Sequence, residues 1–194
     1  AREQNPDYPT VHRNLALAYY NKLHDAQKAK AELETAYKLD TSDARVLLEL
    51  DQLYKKLGYS YEERLTHLEE HKEIVDSRDD LYIEYITLYN MTGRYEEALE
   101  MIMHHHFHPW EGGEGKITTQ YTLALLQLAK IALAEHKPEN AEELLCKALV
   151  FPENLGEGKL EGTKDNHLYY YMGEALEQQG RTEEAEECWH RAES

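Results

Sequence analysis

Two stretches of this 194-residue chain align over ten residues without a gap, residues 108–117 and residues 151–160. They share Pro-x-x-x-Gly-Glu-Gly-Lys followed by Ile or Leu, and hold five of the chain's ten Gly. Their side chains are of types that make contacts. Trp110 offers a large flat apolar face, a frequent anchor in interfaces, and Glu111 and Glu114 beside it can accept hydrogen bonds. Asn154, Glu157 and Lys159 are the corresponding polar candidates of the second copy. Two chemistries fit the pair: a rim that docks a protein segment, or a carbohydrate surface on which Trp110 stacks and the carboxylates bind hydroxyls. A purely structural role is open as well. Pro109 and Pro152 end the preceding helix, and Glu114 and Glu157 stand just before the next one, where a carboxylate meets unpaired backbone N–H groups.

Other clusters are weaker. His104, His105, His106 and His108 lie within five residues, but consecutive helical positions point about 100° apart and cannot converge on one metal ion. The register places His105 at a packing position. Most of the 15 Tyr read as core; Tyr170 with Glu174 is the exception, expected to face a groove. No GxSxG, HExxH, phosphate loop or dinucleotide fingerprint occurs. Paired carboxylates are too common in so acidic a chain to mark catalysis. The expectation is therefore no enzyme, no metal and no cofactor.

The net charge of −17, from 21 Lys and Arg against 38 Asp and Glu, opposes a phosphate backbone and an anionic membrane surface. No apolar run approaches the roughly 18 residues of a transmembrane helix. Cys146 and Cys188 form no CxxC pair and read as buried apolar residues in a reducing compartment, so the expected location is cytoplasmic. Residues 1–9 read as the start of a fragment.

Periodicity then supplies the elements that carry these residues. Ala29, Arg64, Ala98, Ala141 and Ala185 are equivalent; four residues on stand Leu33, Leu68, Ile102, Leu145 and Trp189. A matching upstream helix carries Leu15, Leu50, Tyr85, Leu128 and Met172. The small residue admits a close antiparallel helix and the large ones fill the groove between pairs. Gly58, Gly93 and Gly180 mark the intervening turns, and Pro138 starts a helix in the fourth unit. These residues resemble the tetratricopeptide repeat. The resemblance implies an all-α, right-handed solenoid of about five helix pairs forming one domain over residues 1–194. The repeats are expected near 10–43, 44–78, 79–108, 117–151 and 165–194. The marker spacings are 35, 34, 43 and 44, so the two Gly-rich loops, near 108–117 and 151–164, are insertions on one edge. The second repeat departs most, with Asp51, Arg64 and His71 where the family keeps small residues, and looser packing or a different helix crossing is expected there. The family's carboxylate-gripping clamp is incomplete: Arg13 and Asn14 are suitable, Leu17 and Glu49 are not.

The segment 107–115, the Tyr-Glu-Glu-Ala-Leu before it and Pro-Glu-Asn-Leu-Gly-Glu-Gly after the fourth repeat also resemble the C-terminal repeat region of long bacterial proteins. Those proteins begin with a β-rich domain of unassigned function. The resemblance implies a protein–protein or interdomain scaffold whose partner is a protein or another domain of the parent chain. The alternative is an accessory carbohydrate-binding surface beside a sugar-active domain.

Overall fold

The computed structural model describes residues 7–22 and 24–194; most of the segment read as a fragment start, residues 1–6, lies outside them. The described residues contain eleven α-helices, one 3-10 turn and no strand. The fold is all-α and solenoid-like, with helices packing on chain neighbours inside each unit. It divides into two compact units, Ala1–Leu88 and Tyr89–Ser194.

The first unit holds α1 (Pro9–Asn21), α2 (Ala26–Leu39), α3 (Ala44–Lys56), α4 (Tyr61–Glu69), α5 (Lys72–Val75) and most of α6 (Asp79–Met91). Local chemistry sets its helix starts. The Asp43 carboxylate accepts the N–H groups of Arg45 and Val46 at 3.1 Å each, and Ser60 with Glu63 forms a reciprocal capping box. Gly58 closes the α3–α4 turn with φ +82°, a conformation that costs other residues strain. The marker positions are buried as the periodicity requires: Ala29, Leu33 and Ala36 on α2, Leu50 and Tyr54 on α3, Arg64 and Leu68 on α4. In α1 the buried stripe runs one residue over, through Ala16 rather than Leu15.

The two helices of the second pair touch over a much smaller area than α1 and α2 do, and a buried ion pair joins them at the unusual residues. Arg64, 2% exposed, lies against the fully buried Asp51, with Nε 3.1 Å from one carboxylate oxygen and Nη2 2.8 Å from the other. Its Nη2 also reaches Glu84 of α6 at 3.3 Å. The two departures compensate each other as one bidentate ion pair. What is irregular is the second helix, which breaks after Glu69 and resumes at Lys72 with His71 between.

The second unit continues with α7 (Tyr95–Met103), α8 (Lys116–Ala134), α9 (Pro138–Ala148), a 3-10 turn (Glu153–Leu155), α10 (Asn166–Gln178) and α11 (Thr182–Glu193). Pro138 stands in the first turn of α9, where its missing N–H costs nothing. The preceding turn lacks the Gly of its counterparts, and His136 takes the left-handed conformation instead, with φ 58°. Ala98, Ile102, Ala141, Leu145, Ala148 and Ala185 are fully buried. On α10 Leu168 is buried and the neighbouring Tyr169 half-buried. The cysteines differ from expectation: Cys146 is exposed and Cys188 half-buried. No helix among the described residues is long and apolar enough to cross a membrane.

Candidate functional site

The two Gly-rich loops lie against each other in the second unit, and the second completes the helix ends left open by the first. α7 stops at Met103 and α8 begins at Lys116, so the carbonyls ending one and the N–H groups starting the other need partners. Asn154 supplies the first set: its Nδ2 donates to the carbonyls of Ile102 at 2.8 Å and His105 at 2.9 Å, and its own carbonyl accepts the Phe107 N–H at 2.8 Å. Glu157 supplies the second: its carboxylate accepts the Gly115 N–H at 2.9 and 3.1 Å, at the N-terminus of the 19-residue α8. A carboxylate there also meets the positive end of the helix dipole. The sequence had placed Glu157 ahead of its own following helix. The structure gives it to the helix that follows the other loop, while the N-terminus of α10 has no side-chain cap.

Close contact makes this docking possible. Gly156 has φ +72°, and a Cβ there would come within 2.3 Å of the Phe107 carbonyl oxygen. Leu155 beside it is fully buried, and the Phe151 ring sits 6.2 Å from that of Tyr121 on α8. Lys159 pairs with Asp165 and lies 5.8 Å from the Phe151 ring. Replacing Asn154 with alanine should leave the carbonyls of Ile102 and His105 short of donors, at about 1–3 kcal/mol. Urea unfolding followed by circular dichroism would measure the loss.

In the first loop the Trp110 ring covers Gly113, where a Cβ would come within 2.6 Å of the indole, and Lys116 Nζ lies 5.5 Å from the ring centroid. Trp110 is therefore half-buried against its own loop, while Glu111 and Glu114 are exposed. His104 Nδ1 lies 2.8 Å from the Glu100 carbonyl oxygen, and the His105 ring packs 4.5 Å from Phe107. Tyr170 is 49% exposed and meets Tyr171 edge-on at 5.1 Å; Glu174, one turn on, is half-buried. The structure thus brings Asn154 and Glu157 together with the first loop, gives both internal partners, and leaves Tyr170 on a separate stretch of α10.

The concavities have other linings. In the second unit a cleft of about 310 Å³ lies between the first turns of α8 and the loop leading into α10. Thr119, Thr122 and Leu126 form one wall and Leu160, Lys164 and His167 the other. In the first unit a groove of about 280 Å³ runs between α1 and α3 over a floor supplied by Ala29 and Leu33 of α2. Leu17, 40% exposed, Tyr20 and Leu48 line it, with Gln52 and Lys56 at the rim. Arg13, the cation of the incomplete clamp, is bound to Glu49 by Nε at 2.9 Å and Nη2 at 2.6 Å. Its guanidinium is occupied inside the protein. The sequence did hold one signal for this groove: Leu17 is apolar but off the buried stripe of α1.

Comparison with solved structures decides the fold. The YrrB structure, described as a TPR protein with an unusual peptide-binding site, superposes with a TM-score of 0.61 at 17% identity, over 99% of this chain and 88% of that one. The fold is tetratricopeptide-type. The MamA protein gives a TM-score of 0.58 at 15% identity over 95% of this chain and 89% of that one. MamA 41-end from Desulfovibrio magneticus RS-1 gives 0.56 at 12% over 95% and 93%. At these identities the likeness is one of fold. No protein-family model matches the sequence.

Proposed function

We propose that this tetratricopeptide-type chain is a protein-interaction scaffold that takes an extended peptide segment into the groove between α1 and α3. One observation carries the reading: a groove of about 280 Å³ with apolar walls and floor, in which Leu17 remains 40% exposed although the sequence is strongly polar elsewhere. An exposed apolar concavity with a few polar groups at its rim is the usual form of a recognition site. Leu17, Tyr20 and Leu48 would hold apolar side chains of the segment; Asn21, Gln52 and Lys56 would meet its backbone and polar groups. The peptide-binding description of YrrB agrees with this class of function. The segment belongs to a separate protein or to another domain of a longer bacterial chain that carries this array. The loop residues Asn154 and Glu157 take the role of internal braces in this reading, and Trp110 that of a packing residue of its loop.

Selection from a random peptide display library tests it. Peptides enriched on the wild-type chain are expected to bind Leu17→Glu at least about tenfold more weakly, roughly 1.4 kcal/mol, with the circular dichroism of the variant unchanged. Peptides that bind both proteins equally, or a library that yields no saturable binder, would overturn the groove assignment.

A further inference from the structure

We propose that the second helix pair contains an acid-sensitive latch, in which protonation of His67, in ring contact with His71, loosens α4 and the turn after it from α3 and α2. The inference does not rest on the groove. It starts from an aromatic and imidazole cluster that the periodicity explains only in part. The His67 ring meets Tyr54 of α3 edge-on at 5.1 Å and His71 at 5.2 Å; His71 in turn meets Tyr37 of α2 edge-on at 4.8 Å. Tyr54 stacks on Tyr59 at 4.5 Å. The His67 ring touches α3 from α4 and the His71 ring touches α2 from the turn after α4, so a charge placed among them acts on these contacts.

The surroundings suit neutral imidazoles. Among the described residues three buried side-chain polar atoms make no hydrogen bond, and two of them, Tyr37 Oη and His67 Nδ1, belong to this cluster. The carboxylates around His67 are already engaged. On α3, Asp51 holds Arg64. On α2, Glu34 accepts the Tyr54 hydroxyl at 2.8 Å. On α4 itself, Glu63 accepts the Ser60 N–H at 2.8 Å. Glu70, past the end of α4, is exposed. Burial, with the neighbouring His71 adding to it, holds His67 below the usual histidine value, and Asp51, Glu70 and Glu34 oppose this only in part. An unfolded histidine titrates near about 6.5. Between that value and the lower folded one the unfolded chain binds the extra proton, so the contribution to stability is complete above about 6.5 and falls as the pH drops through this window.

The test combines histidine side-chain NMR titration with thermal unfolding of the full chain at about pH 7.5 and about pH 5.5, for wild type, His67→Phe and His71→Phe. Wild-type His67 is expected to titrate below the ordinary histidine value, with amide signals of Tyr61–Glu69 shifting or broadening in the same range. The transition assigned to the first unit should drop by several degrees more in wild type than in His67→Phe, in which a ring is kept but the proton site removed. His67 titrating at or above the ordinary value would overturn the proposal. So would an equal pH-dependent drop in wild type and His67→Phe. The NMR titration needs only wild-type protein, so the proposal stays testable if a variant fails to fold.

Discussion

Replacing Asp51 with alanine is expected to destabilise the first unit by about 3–5 kcal/mol, because it leaves the Arg64 guanidinium buried with one distant partner. Arg64 is 2% exposed, and beyond Asp51 it reaches Glu84 at 3.3 Å. A loss of that size is a large part of the total stability of a small unit, so the first unfolding transition in urea should move to much lower denaturant or disappear. The buried pair differs from the surface pairs of this chain in that water cannot replace the missing partner. Asp51→Leu combined with Arg64→Leu removes both charges and should recover most of the loss, since well-packed apolar residues often replace a buried pair without net cost. If Asp51→Ala behaves like a surface substitution, within about 0.5 kcal/mol, the ion pair does not hold this helix pair together.

Gly156→Ala should be the most damaging single change in the loops, costing on the order of 2–4 kcal/mol in the second unit. Two effects combine. The residue needs a positive φ of +72°, and its added methyl would lie 2.3 Å from the backbone oxygen of Phe107, which cannot rotate away as a side chain can. The loop would have to lift, taking Asn154 from the end of α7 and Glu157 from the start of α8. Gly58→Ala is the matched control. Its φ of +82° imposes similar strain, but a methyl there meets nothing within 4 Å, so about 1 kcal/mol is expected. The difference between the two variants, from denaturant unfolding, isolates the contact between the loops. Equal costs would mean that the loops do not brace each other.

Much of the fold could be read from the chain because repeat architecture is local. Each helix pair must bury the same stripe against its neighbours, so Ala29, Ala98, Ala141 and Ala185 stand at one register position and are all fully or almost fully buried. Turn chemistry is equally local: Gly58, Gly93 and Gly180 all take positive φ. The departures were visible as residue types but not as a pair. Asp51 and Arg64 are 13 positions apart, and only the packing of α3 on α4 shows that each neutralises the other. His71 looked like an unfavourable packing residue; ring contacts with Tyr37 and His67 give it a place at a break in the helix.

The loops mark where sequence reasoning stops. Their shared Pro-x-x-x-Gly-Glu-Gly-Lys frame identified them as equivalent insertions, but α7 and α9 end at Met103 and Ala148, before the prolines, and Glu114 is exposed rather than capping α8. Equivalence in sequence also suggested that each Glu serves its own following helix. In the structure Glu157 caps α8, 42 residues back, at Gly115. A capping distance depends on where the tertiary packing sets two loops, and no spacing along the chain encodes it. The candidate groove is hidden for a similar reason: Leu17 and Leu48 become neighbours only when α1 and α3 lie side by side over α2. By itself the sequence determined an all-α array of helix pairs, most of its turns and the buried stripes of the second helix of most pairs, because those follow from short-range periodicity and backbone sterics. The tertiary structure alone decided which polar side chains are spent on holding the array together and which apolar ones stay open, because hydrogen-bond partners and solvent exposure are set between elements rather than within them.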